Sequence, residues 1–208
     1  MQTVIDDRQQ QYAPPASKPG YEICKRIFDV LMSALALIIL SPLFLITAVV
    51  VWLQDGGKPI YSQIRLTKGG KEFRMYKFRS MRVDAEALLD ELMDQNEMTG
   101  PAFKMKDDPR ITPVGRFIRK TSIDELPQLI NIIKGDMSII GPRPPLPREV
   151  AQYTEYQKHR LDVKTGLACY HECMGRSDSN DFDEWVESDL KYIRERSFWT
   201  DLKVIFLT

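Results

Sequence analysis

Cysteine is scarce and odd in number in this 208-residue sequence. Cys24, Cys169 and Cys173 are too few for a disulfide-stapled secreted scaffold, so most of the chain is expected in a reducing compartment. Net charge is missing as well: 29 Lys and Arg balance 29 Asp and Glu, which excludes a surface that traps nucleic acid by overall charge. Any anion recognition must rest on local charge. No internal repeat and no long low-complexity tract is present, so solenoids and arrays are excluded. The length suits one domain, or one domain with an anchor.

One long apolar run stands out. Residues 27–53 read IFDVLMSALALIILSPLFLITAVVVWL, with Asp29 the only charge, and at 1.5 Å per residue they can cross a hydrocarbon core of ~30 Å. The run is too long for a signal peptide and no small-residue cleavage site follows it, so it is expected to stay attached. Ser41 and Pro42 lie in its middle, where the proline removes a backbone donor and crowds the Ile38 carbonyl. Lys25 and Arg26 precede the run, and Lys58, Arg65 and Lys68 follow it, which places both ends on the cytoplasmic side. A re-entrant hairpin satisfies this, and a single kinked span fits the proline equally well. The sequence therefore divides into a disordered, Gln- and Pro-containing tail over 1–20, a membrane segment over 21–53 and a cytoplasmic unit over 54–208.

In that unit, residues 59–65 and 72–78 alternate around a Lys-Gly-Gly-Lys turn, the pattern of a β-hairpin. KFRSM at 77–81 sets Lys77 and Arg79 around an aromatic at the strand end, either as phosphate ligands or as a solvated edge. Leu88, Leu89, Leu92 and Met93 predict an amphipathic helix over 84–94. Thr112 and Pro113 are the N-cap and first residue of a basic helix whose Arg116, Arg119 and Lys120 suit anionic headgroups or an ordinary surface. TSIDELPQLI at 121–130 starts another helix, ended by Gly135, with Leu126, Leu129, Ile130 and Ile133 on its buried face. Asp124 and Glu125 fall in its first turn. Ser122 and Glu125 have capping-box spacing, a purely structural role, although Pro127 sits awkwardly late for it. Alternatively, an ionised aspartate can attack phosphorus, and a neighbouring glutamate can hold the Mg2+ that a diphosphate brings. The MSII strand at 137–140 leads to GPRPPLP at 141–147, where flanking prolines stiffen Arg143 as a phosphate clamp or a plain connector.

Two further patterns carry weaker chemistry. Cys169, His171 and Cys173 alternate as on one strand face, too tightly spaced for a zinc site. Asp181 and Asp183 form the D-x-D pattern of metal-dependent glycosyltransferases, within a polar run equally suited to capping the helix from Trp185. Near the end Trp185, Tyr192, Phe198, Trp199 and Phe206 alternate with charges, fitting either a membrane interface or a core-facing helix.

Taken in order, KRIFD at 25–29, the apolar run with Ser41 and Pro42, KFRSM at 77–81, DPRIT at 108–112, SIDELPQ at 122–128, KGDMS at 134–138 and GPRP at 141–144 resemble one family. It is the monotopic phosphoglycosyl transferases, also called bacterial sugar transferases or undecaprenyl-phosphate sugar phosphotransferases. The likeness covers residues 22–208 and is to the small form, without the extra N-terminal membrane helices of larger members. It implies a mixed α/β (α+β) membrane-associated fold with a re-entrant helix-break-helix at Ser41 and Pro42, interfacial amphipathic helices and a small β-hairpin. It also implies a two-step reaction: Asp124 attacks the β-phosphorus of a UDP-sugar, UMP leaves, and undecaprenyl phosphate takes the phosphosugar. By the same resemblance Glu125 helps hold Mg2+, Lys77, Arg79 and Arg143 bind phosphates, and Asp189 lies near the nucleotide. The expected partners are UDP-sugar, undecaprenyl phosphate and inner-membrane lipid on the cytoplasmic face, not nucleic acid, and a homodimer is compatible with the sequence. Thr67 replaces a glycine usual in the family, and the segment 165–174 departs from the usual pattern, which leaves the sugar open. Two rivals are a metal-dependent glycosyltransferase using Asp181 and Asp183, and a non-catalytic membrane-anchored adaptor.

Overall fold

The computed structural model describes Tyr12, residues 15–171, Cys173 and residues 180–208, so most of the expected tail lies outside the described residues. Helix α1, Pro19–Asp55, dominates the first quarter of the chain. Pro19 opens it where a missing amide is harmless, and Gly56 closes it at φ 69° with its N–H on the Trp52 carbonyl at 2.7 Å. Its buried positions are Asp29, Ser33, Thr47 and Val51, whereas Ile27, Leu31, Ile38, Leu45 and Leu53 are all more than half exposed. A water-soluble helix shows the reverse distribution. With a length and composition sufficient to cross a bilayer, α1 is the membrane-associated element.

The sequence predicts a break at Ser41 and Pro42, but the helix continues through them. Pro42 deprives the Ile38 carbonyl of its amide donor, and the Ser41 hydroxyl donates to that carbonyl instead, at 2.8 Å. Both ends of α1 are tied to the rest of the chain. Near its start Lys25 and Tyr21 donate to Asp201 at 2.7 and 2.8 Å, Arg26 donates to the Ile132 and Ile133 carbonyls, and Asp29 accepts the Ile139 amide at 3.1 Å. Near its end Val51 packs with Phe78 and Ile118, and Asp55 pairs with Arg79.

Strands β1, Ile60–Thr67, and β2, Lys71–Phe78, form the expected antiparallel hairpin, in register from Ile60 opposite Phe78 to Thr67 opposite Lys71. The amphipathic helix expected over 84–94 is largely replaced by turns before a four-residue helix, α2, Leu89–Leu92. A short helix needs a well-packed apolar face, and Leu88, Leu89 and Leu92 are only half-buried. Helix α3, Pro113–Lys120, starts as predicted: the Thr112 hydroxyl accepts the Gly115 amide at 2.9 Å. Its Phe117 is 63% exposed beside the basic residues.

The single helix expected up to Gly135 is divided into a 3-10 turn, Ile123–Glu125, and α4, Gln128–Lys134. Pro127 stands at the joint, which removes the clash it would make inside one helix. The buried face of α4 is Gln128, Leu129, Asn131 and Ile132, and Ile130 points out at 42% exposure. Leu129, Ile132 and Met137 pack on Phe73 and Met75 of the hairpin, with Ala36 and Leu37 of α1 against them.

Strand β3, Ser138–Ile140, runs parallel to β4, Gly166–Ala168, and short helices α5, Pro147–Val150, and α6, Glu155–Lys158, lie between them. Helices α7, Phe182–Glu195, and α8, Phe198–Leu207, complete the chain. Ile140, Tyr153, Val186, Leu190, Ile193 and Val204 are buried together in the largest core. The C-terminal aromatics divide between the two environments expected of them: Tyr192 is buried, while Trp199 and Phe206 are 77% and 84% exposed. Cys169 and His171 do not share a strand face, because β4 ends at Ala168 and a helical turn begins at Tyr170.

Candidate active site

A cleft opens where the hairpin, the turn before α4, the proline-rich loop and β4 meet, lined by Arg65, Lys77, Glu125, Gln128, Arg143 and Cys169 among others. The hairpin register sets part of it. Arg65 and Lys77 lie opposite Phe73 and Tyr61, so Tyr61, Arg65, Phe73, Met75 and Lys77 all belong to one face of the hairpin.

The turn Ile123–Glu125 follows Ser122, whose φ of 54° makes it the one non-glycine residue with positive φ among the described residues. Such a conformation is held only by its surroundings and is common at functional sites. The Ser122 side chain makes no cap hydrogen bond, so the capping box open to Ser122 and Glu125 is not formed. The Glu125 carboxylate instead accepts Lys77 Nζ at 2.6 Å. Burial works to raise its pKa, but Lys77, through charge and hydrogen bond, prevails and holds it below the ordinary carboxylate range.

Asp124, only 6% exposed, behaves in the opposite way. Burial, the largest influence, raises its pKa and outweighs the pull of Lys77, while the neighbouring Glu125 charge raises it further. One carboxylate is thus clamped to a cation and its neighbour is poorly solvated with no cation bonded to it. A poorly solvated carboxylate is a better nucleophile than a hydrated one.

Arg143 is carried by a loop held at several points. Leu66 N–H donates to the Pro145 carbonyl at 3.0 Å, Arg65 Nη1 to the Pro144 carbonyl at 2.9 Å, and Gly166 N–H to the Pro142 carbonyl at 2.9 Å. Gly166 is required for that approach, since a Cβ there would stand 2.0 Å from the Gly141 nitrogen. The Arg143 guanidinium lies over the Trp185 ring at 5.6 Å. Arg65 is pushed down to about 10, first by burial and next by the Arg143 charge. Like charges that converge in a cleft make it a receptor for a multiply charged anion.

Lys77, Glu125 and Arg143 are therefore brought together, with Asp124 beside them. Arg79 is not: its guanidinium is engaged by Asp55 and the Val51 carbonyl, anchoring the end of α1. Asp189 does not line the cleft either. Only 1% exposed, it pairs with Arg160 at 2.7 Å, and Arg160 bonds the Tyr153 hydroxyl and stacks over Trp185 at 5.0 Å. Ser41 and Pro42 lie within α1. Asp181 spends its side chain on the Asp183 amide, at 2.9 Å, as the N-cap of α7. Sequence reasoning missed Arg65 and Gln128 as cleft residues. Strand alternation carried the signal for Arg65, which shares its parity with Tyr61 and faces with Lys77 across the pair.

No group of three His, Cys, Asp or Glu side chains suited to a metal is found among the described residues. The one carboxylate among the residues that line the cleft is Glu125, and the buried Asp124 precedes it in the chain. Mg2+ binds to one or two carboxylates and takes its remaining oxygens from substrate phosphates and water, so this pair fits an ion that arrives with a diphosphate.

Residues 20–208 match the family model described as bacterial sugar transferase. The chain is 47% identical over 199 residues to a protein named galactosyl transferase CpsE from Streptococcus agalactiae, covering 95% of this chain and 44% of that one. It is 41% identical to the undecaprenyl-phosphate galactose phosphotransferase of Salmonella typhimurium, covering 92% and 41%. An exopolysaccharide production protein, ExoY, from Sinorhizobium fredii is 40% identical, with coverage of 93% and 87%. The chain thus spans less than half the length of the first two relatives and most of the third.

Proposed function

The chain belongs to the bacterial sugar transferase family, and from that premise we propose that it transfers a sugar-1-phosphate from a UDP-sugar to undecaprenyl phosphate. The products are UMP and undecaprenyl-diphosphate-sugar, and the step opens the assembly of a bacterial capsule, O-antigen, exopolysaccharide or glycoprotein glycan. The observation that carries this is the pairing of Asp124 and Glu125 beside a cleft lined by Arg65, Lys77 and Arg143. These cations match the charge of a diphosphate.

In the first half-reaction an Asp124 carboxylate oxygen attacks the phosphorus that bears the sugar, the bond to the bridging oxygen breaks, and UMP departs with that oxygen. In the second, an oxygen of undecaprenyl phosphate attacks the same phosphorus and the Asp124 carboxylate is released. Lys77 and Arg143 hold phosphoryl oxygens, and the bond from Lys77 keeps Glu125 ionised. Asp124 and Glu125 would hold Mg2+, which would supply electrostatic stabilisation of the phosphoryl oxygens and the departing UMP. Asp189 supports the nucleotide end indirectly, through Arg160 and Trp185 beneath Arg143. The clamp on Asp55 gives Arg79 the task of fixing α1 at the membrane, next to the site.

The membrane segment 21–53 is re-entrant in this reading, turning back through a bend at Pro42 within the continuous helix rather than through a break, and 54–208 form the catalytic unit on the cytoplasmic face of the inner membrane. Support comes from the bonds at both ends of α1: Lys25 to Asp201 and Asp55 to Arg79 join one body, and a through-span would put these ends on opposite sides of the bilayer. The exposed Phe117, Trp199 and Phe206 suit contact with the interface.

The released nucleotide tests the reaction. Protein in detergent, given undecaprenyl phosphate, Mg2+ and UDP-galactose, UDP-glucose or UDP-N-acetylgalactosamine in turn, is expected to release UMP from one of them. Release of UDP would instead mean a glycosyl transfer, and silence with every donor would favour an adaptor.

A further inference from the structure

Helix α4 buries two side-chain amides that are treated in opposite ways. Asn131, with no exposure at all, is fully used: Nδ2 donates to the Arg74 carbonyl at 2.7 Å and to Asp136 at 3.2 Å, and Oδ1 accepts the Tyr76 amide at 3.0 Å. Gln128 is 2% exposed, lines the cleft, and has no side-chain hydrogen bond to any described residue. Its amide is therefore available to a ligand in the cleft, at no cost in broken protein hydrogen bonds. The unused group faces the same cleft as Lys77, Glu125 and Arg143, one turn beyond Glu125.

We propose that Gln128 is a sugar-binding residue that hydrogen-bonds a hydroxyl of the transferred sugar. This rests on the reading above and goes beyond it by assigning the sugar end of the donor. The division of chemistry in the cleft supports the choice. Arg65, Lys77 and Arg143 can only donate, which suits phosphate oxygens, and Glu125 can only accept, with one of its oxygens already taking the Lys77 bond. A sugar hydroxyl both donates and accepts, and Gln128 is the cleft's one side chain, among the described lining residues, that offers an amide N–H2 and a carbonyl together. A site built to bond a hydroxyl also rejects a substrate that lacks it, because its own polar group is then stranded.

The test compares the full chain with Gln128→Met, which keeps the length of the side chain and removes both polar atoms. UMP release is measured with the preferred UDP-sugar, with its singly deoxygenated sugar analogues and with the donor carrying 2′-deoxyribose. The variant is expected to lose about tenfold in kcat/KM on the complete donor and nothing further on one deoxy-sugar analogue. Its melting temperature without ligand should equal or exceed that of the unaltered chain, since an unbonded amide has been removed. An equal loss on every donor, no loss at all, or a loss that vanishes only with the deoxyribose donor would overturn the assignment. Should the unaltered chain release no UMP, the proposed reaction fails, and ligand-induced thermal shifts decide the fate of Gln128 separately. Greater stabilisation of the unaltered chain than of Gln128→Met by one of these UDP-sugars sustains the contact, and equal or absent stabilisation rejects it.

Discussion

Lys77 donates to Glu125 at 2.6 Å, although Asp124 is the preceding residue in the chain and also within its field. The cation thus fixes one carboxylate and leaves the other without a bonded charge partner. In the proposed reaction this asymmetry gives adjacent acids two roles, Glu125 as a fixed anion and Asp124 as an attacking group.

Replacing Asp124 by Asn should separate chemistry from folding. UMP release is expected to fall by roughly 10³-fold or more. The melting temperature should hold or rise, because a desolvated carboxylate becomes a neutral group of the same shape. A loss of ~1 kcal/mol in stability with turnover retained would make Asp124 a helix cap and nothing more.

The pH dependence follows from the same pair. Glu125 has its pKa lowered in the fold, so its stabilising contribution is complete above its unfolded pKa and disappears as pH falls through the folded value. Asp124 has its pKa raised, so its effect has the opposite sign: stability is greatest below its unfolded pKa and declines as pH rises through the folded value. Lys77 lowers both, so Lys77→Met is expected to move the acid limb of the rate profile to higher pH. An acid limb that stays in place while the rate falls would mean that Lys77 binds substrate without tuning the carboxylates.

Arg160 and Asp189 form an ion pair with side chains 2% and 1% exposed. Arg160→Met takes the paired cation from a buried aspartate and should cost about 3–5 kcal/mol, read from the denaturation midpoint in detergent. The double variant Arg160→Met with Asp189→Leu should recover most of that loss. If it does not, Asp189 contributes something besides the pair.

Much of this was legible in the sequence. Thr112 and Pro113 marked the start of α3, Gly135 the end of α4, and alternation around the Lys-Gly-Gly-Lys turn gave the hairpin. Spacing placed the D-x-D pair at a cap, and the structure puts Asp181 there. Contacts between distant segments were not legible. Nothing local says that Arg79 turns to Asp55 or that Asp189 meets Arg160. The 84–94 segment has helical spacing, but spacing does not supply the partner surface that a short helix needs.

Topology gives an independent check on α1. Single cysteines at Ser17 and Thr208, in a chain with its own three replaced, should both label from the cytoplasmic side of intact membranes. Labelling from opposite sides would require the bonds of Lys25 to Asp201 or of Asp55 to Arg79 to break, and would reject the re-entrant arrangement.

The most direct test is to trap the first half-reaction. Protein mixed with Mg2+ and its UDP-sugar, without undecaprenyl phosphate, should release a burst of UMP approaching one equivalent, and peptide mass analysis should find the phosphosugar on Asp124. A burst that needs the lipid, or a modified peptide that excludes Asp124, would contradict the account.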